Sequence, residues 1–148
     1  MRGANRYALL TPAQELLLAA RVRAWLDSPS PTPQQVRSGR RAKEQMINAN
    51  LRLAAKCVFS FRRRIQAVNG DIADALQEAA LGLNRAAEKF DHTRGYKFST
   101  YATLWCNQAI RRYLQVSVGM IRPPAGAQDV CRRFRYRGKQ TIAEFCDQ

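Results

Sequence analysis

The chain has 148 residues, enough for one domain with a modest core. Its 25 Lys and Arg against 11 Asp and Glu leave a formal net charge of +14, which calls for a polyanionic partner, nucleic acid before a membrane surface. Cys57, Cys106, Cys131 and Cys146 form no C-x-x-C pair and the single histidine, His92, has no cysteine nearby, which argues against a zinc site and against a disulfide framework.

Thr11-Pro12-Ala13-Gln14 is a helix start: threonine caps, proline suits the first helical position, and Gln14 completes a capping box. The helix is expected to run to about Asp27. Arg21 and Arg23 interrupt its leucine-rich patch, and no apolar run has the length of a membrane span. Nothing resembles a signal peptide, so the expectation is a cytoplasmic protein with reduced thiols. Residues 28–40 follow, where Pro29, Pro31 and Pro33 predict a stiff, exposed linker.

A second helix is expected from Arg41 to about Gln66, with Met46, Leu51, Ala54, Val58 and Phe61 as its apolar side. It is basic: from Arg37 to Arg64, nine Lys or Arg stand against Glu44 alone. Asn69-Gly70 breaks the chain. Asp71 then caps a third helix, in which Ile72, Ala75, Leu76, Ala79, Leu83, Ala86, Ala87 and Phe90 share one face at a period near 3.6. Asp74, Gln77, Glu78 and Leu81 share the opposite face. Helix-dipole preference accounts for Asp71 and Asp74 in the first turn, but not for Glu78.

After a turn at residues 92–95, Ser99 is expected to cap a fourth helix running to about Val116. Ala102, Cys106, Ala109, Ile110 and Tyr113 form its core-facing stripe. Tyr101, Leu104, Trp105, Gln108, Arg111, Arg112 and Gln115 form the other. Aromatics leading into Gln and Arg along one face suit single-stranded nucleic acid, because rings stack on exposed bases while cations hold phosphates. Phe98, and with it Tyr96, is expected in the core. The body of the protein is thus an all-α fold over residues 41–118, preceded by the helix of residues 1–27 and the linker. A short basic extension, residues 119–148, follows it.

Three segments carry a resemblance. AKEQMINANLRLAAK (Ala42 to Lys56), DALQEAALGLNRAAEKFD (Asp74 to Asp91) and RGYKFSTYATLWCNQAIRR (Arg94 to Arg112) resemble region 2 of the sigma-70 class of bacterial RNA polymerase initiation factors, and LLTPAQELLLAARV resembles the preceding region 1.2. The resemblance implies a compact helical region 2 fold. It also implies docking on the clamp helices of the polymerase's large β′ subunit, and recognition and melting of the promoter's −10 element as duplex and as single strand. Asp74, Gln77 and Glu78, with Leu81 beside them, match the polymerase-contact face. Tyr101 matches the tyrosine that stacks on a flipped base, with Phe90 and Arg94 forming its pocket and Tyr96 and Lys97 in the same DNA-contacting stretch. Asn50, Leu53, Ser99 and Thr100 match a second capture site. Gln108 and Arg111 face the upstream edge of the element, and Arg112 a phosphate. Flipping a base costs a few kcal/mol, and two aromatic stacks at ~1–3 kcal/mol each offset that without ATP.

The chain also departs from the family. Leu104 replaces the first residue of a tryptophan pair that wedges the upstream fork, leaving Trp105. Asn107 stands for an arginine, Ala80 for an amide of the docking face, and Gly126 lies near a usual histidine. The chain ends soon after region 2, which resembles the late-transcription sigma factors of T-even-like bacteriophages. Those depend on a co-activator and on a sliding clamp bound through an apolar-acidic C-terminus. Ile142 and Phe145 would fill that role here, although a frayed amphipathic terminus reads the same way. Three functions stay open: a working initiation factor, a decoy that occupies core polymerase, and a stand-alone nucleic-acid-binding module. No nucleophile–base pair, metal cluster or phosphate loop supports an enzyme, and no cofactor is implied.

Overall fold

The computed structural model describes residues 8–116. The extension expected at residues 119–148, with Ile142 and Phe145, lies outside the described residues. All the elements described are helical: α1 (Pro12–Leu26), α2 (Pro33–Ser60), α3 (Arg62–Ala67), α4 (Ile72–Lys89), a single 3-10 turn (His92–Arg94) and α5 (Phe98–Val116). Helices α2, α4 and α5 pack on one another, and α1 lies along α2.

Both boundaries of α2 differ from expectation. α2 begins at Pro33 rather than Arg41, because Thr32-Pro33-Gln34-Gln35 repeats the grammar of Thr11-Pro12-Ala13-Gln14. Each threonine accepts from the backbone N–H of its glutamine, and each glutamine Oε1 accepts from the threonine N–H. The linker is therefore short. Along the added turns of α2, Gly39 lets the Trp25 side chain of α1 pack on bare backbone: a Cβ at Gly39 would lie 2.5 Å from the Trp25 Cβ. The second difference is a break after Ser60. Phe61 leaves the α conformation (φ −94°, ψ 0°), and a separate α3 follows it. The Ser60 hydroxyl donates to the Cys57 carbonyl at 2.6 Å, a local bond of the kind that bends a helix end.

The core runs through all the long helices. Met46, Ile65, Leu83, Phe98, Cys106 and Ile110 have no exposed surface. Cys106 donates its thiol to the Ala79 carbonyl at 3.5 Å, and burial pushes its pKa up to about 12, so it behaves as a small hydrophobe. The small residues on α4 set how closely α5 approaches. At Gly82 a Cβ would lie 2.8 Å from the Trp105 carbonyl oxygen and 3.0 Å from the Ala109 Cβ, so the two backbones nearly touch. The far ends of the same helices are tied by Tyr113, whose hydroxyl accepts from the Asp71 N–H at 3.1 Å and donates to the Asp71 carbonyl at 3.2 Å.

Gly82→Val is expected to force α4 and α5 apart and to lower stability by about 1–3 kcal/mol. Urea unfolding followed by circular dichroism measures this.

Candidate nucleic-acid interface

The turn between α4 and α5 is built locally. Asp91 Oδ1 accepts from the Thr93 N–H at 3.0 Å and from the Thr93 hydroxyl at 2.6 Å, while Oδ2 accepts from Arg94 Nε at 3.1 Å. The Thr93 hydroxyl, the Thr93 N–H and then the Arg94 guanidinium hold the Asp91 carboxyl down at about 2. Gly95 completes the turn with φ 73°, a left-handed conformation that glycine adopts without steric cost. Arg94 is thereby tied to Asp91 while its side chain stays 73% exposed.

α5 starts at Phe98, one residue before the expected cap, so Ser99 lies inside the helix. Its carbonyl accepts from the Thr103 hydroxyl at 2.7 Å. The Phe98 N–H instead donates to Glu15 Oε2 on α1 at 3.4 Å. A carboxylate at the positive end of α5 is favoured by the helix dipole, and here it comes from 83 residues upstream. Phe98 is buried as expected, but Tyr96 is 68% exposed and is not a core residue.

On the outer side of α5 the aromatics form one chain. Phe90 is 4% exposed and meets Phe98 edge-on at 5.2 Å and Tyr101 at 5.9 Å. Tyr101 continues to Trp105 at 6.1 Å. The Tyr101 hydroxyl donates to the Lys89 carbonyl at 3.4 Å, and the Lys89 ammonium sits 5.1 Å from the Trp105 ring centroid. Tyr101 and Trp105 are therefore half-buried and held, Tyr101 by Phe90 and Trp105 by Tyr101 and Lys89. Leu104 is the free apolar side chain of this face at 66% exposed. Beyond it, Asn107, Gln108, Arg111, Arg112 and Gln115 line a shallow groove with Leu104.

The second expected set is less tightly joined. Asn50 donates its side-chain amide to the Met46 carbonyl at 2.9 Å, and Leu53 packs on the core. Among the described residues no hydrogen bond links Asn50 to Ser99 or Thr100, although Glu15 reaches the same end of α5. On the other side of α4, Asp74 and Gln77 are exposed, Glu78 is half-buried and Leu81 is 55% exposed. Neither Asp74 nor Glu78 has an ion-pair partner among the described residues. Glu15 and Lys89 are the positions the sequence reading missed. Lys89 carried a faint signal as the cation closing α4, and Glu15 carried none.

Residues 46–117 match the family model described as Sigma-70 region 2. The segment is a sigma-70 region 2 domain. The match covers every expected DNA- and polymerase-contact residue from Asn50 to Arg112. The chain is also 41% identical over 134 residues to the RNA polymerase principal sigma factor HrdC of Streptomyces coelicolor, covering 78% of this chain and 38% of that protein. It is 45% identical over 97 residues to RNA polymerase sigma factor SigA of Microcystis aeruginosa, covering 66% of this chain and 22% of that protein. With the RNA polymerase sigma-B factor of a Nostoc species it shares 44% identity over 102 residues, covering 69% of this chain and 30% of that protein. The region 2 domain is thus homologous to that of bacterial principal sigma factors, and the chain spans well under half the length of these relatives.

The depressed Asp91 carboxyl gives the turn of this region 2 domain a pH signature. A carboxyl lowered on folding contributes stability above its ordinary value of 3.8, and that contribution drains as pH falls towards about 2. Asp91→Asn is therefore expected to be less stable than the parent near neutral pH. The two should converge as pH falls from about 4 towards 2, a comparison that denaturant unfolding across pH makes directly.

Proposed function

We propose that this chain is an RNA polymerase sigma factor that acts in the cytoplasm of a bacterial cell. The α4 face of Asp74, Gln77, Glu78 and Leu81 docks on core polymerase, on the clamp helices of the large β′ subunit, and the outer face of α5 recognises and melts a −10-like element. The observation that carries the reading is the half-buried Tyr101–Trp105 pair, fixed by Phe90 and Lys89 on a helix whose next turns present Gln108, Arg111 and Arg112. Rings held in place lose little freedom when a base stacks on them, so more of the stacking energy is left to offset unpairing. Carboxylates without an ion-pair partner among the described residues suit arginines on a docking surface, where charge-assisted bonds form. At the upstream fork, the exposed Leu104 takes the place of an aromatic wedge.

The narrower form of the reading is a phage late-gene factor that works with a co-activator and a sliding clamp. It is supported by the sequence around Ile142 and Phe145, and stimulation of transcription by a clamp, lost in Phe145→Ala, tests it.

The main test is transcription with bacterial core polymerase on templates carrying an intact or scrambled −10-like element. The chain is expected to direct transcripts from the intact template alone. Glu78→Arg should abolish core binding. Tyr101→Ala should retain core binding and reduce promoter opening at least tenfold, the effect of about 1.4 kcal/mol of lost stacking. Core binding without transcripts on any template would point to a decoy.

A further inference from the structure

A groove between α1 and the first turns of α2 is lined by Arg21, Arg37 and Arg41, with Gln34, Ser38 and Gln45 beside them. Leu18 and Ala42 form its buried floor. It exists because α2 begins at Pro33: residues 33–40, helical here, set Arg37 one turn before Arg41 and opposite Arg21. None of the three arginines has an ion-pair partner among the described residues, and no carboxylate lines the groove. Glu44, the nearest acid on α2, is exposed and lies outside it. The first turn of α2 also carries no acid to offset the positive helix end.

The charges of this arrangement work against folding. Like charges at i, i+4, as Arg37 and Arg41 are, cost a few tenths of a kcal/mol in a helix. A third guanidinium across the groove adds to the repulsion. What relieves it is an anion with several charges spaced along the groove. The lining has no aromatic side chain, so it offers nothing for a base to stack on. Planar guanidiniums and amides instead suit phosphate oxygens.

We infer that the α1/α2 groove is a separate DNA-backbone site, which holds phosphates of a strand without reading its bases. This rests on the DNA-binding part of the function proposed above. Helix α1 borders both the groove and the first residue of α5. Glu15, which reaches α5, and Arg21 are six residues apart on α1, about 9 Å along the helix. The groove thus adds a sequence-independent grip to a chain whose α5 face selects bases.

The test uses the full chain and a fluorescein-labelled single-stranded DNA of mixed sequence, with binding followed by anisotropy across a potassium chloride series. Arg21→Gln, Arg37→Gln and Arg41→Gln combined should flatten the dependence of log affinity on log salt by about 2, at ~0.7 per phosphate released from single strands. The corresponding triple lysine variant should keep the parent's slope, since it keeps the charge. Tyr101→Ala should weaken binding while leaving the slope unchanged. The inference is overturned if the glutamine triple keeps the parental slope, or if the lysine triple loses as much as the glutamine triple. Transcription is a separate readout. A parental slope together with −10-dependent transcripts removes the groove and leaves the sigma reading intact. A flattened slope with no transcripts does the reverse.

Discussion

Helix α5 serves two masters, and it can do so only because α4 lies against it with almost nothing in between. At Gly82 the α4 backbone faces the Trp105 carbonyl directly, and Ala79 accepts the Cys106 thiol one turn away. This close crossing lets small side chains (Ala102, Cys106, Ala109) fill the inner side of α5. Around the crossing, Tyr101, Leu104 and Trp105 are left for the outer side, while Phe98, Ile110 and Tyr113 fill the core on either side of it. Were the helices farther apart, Tyr101 and Trp105 would be drawn inward as filler, and the outer face would lose its rings.

The same packing explains how those rings are held. Phe90 ends α4 and Phe98 begins α5, so their edge-on contact closes the connection between the two helices. Tyr101 then rests on Phe90, and Lys89 reaches both Tyr101 through its carbonyl and Trp105 through its ammonium. Core and working surface are one continuous stack of aromatic groups. Asp74 and Glu78 lie outside that stack, and their charges reach α5 at Tyr113, whose hydroxyl pKa is raised by burial first and by these carboxylates after it.

Much of this was legible in the chain. The 3.6-residue period of α4 is unbroken, and the two stripes of α5 differ in chemistry as well as spacing, so Leu83, Cys106 and Ile110 are buried while Leu104, Gln108 and Arg111 are exposed. The start of α2 was encoded too, since Thr32-Pro33-Gln34-Gln35 repeats the box at Thr11. The prolines before it read as a linker that ran on too far. Other features had no local signature. The bond from Glu15 to the Phe98 N–H spans 83 residues. The break at Phe61 interrupts no periodicity, because its ring stays on the apolar side. The exposure of Tyr96 follows from the turn that Asp91 and Gly95 build, not from its own neighbours.

The central claim is that the outer face of α5 takes bases out of a duplex. Placing 2-aminopurine beside the base expected to stack on Tyr101, in a duplex with a −10-like element, tests it most directly. Fluorescence should rise on adding the chain with core polymerase, as the probe loses its stacking neighbour, and should stay low with core polymerase alone. Equal fluorescence with and without the chain would contradict the claim.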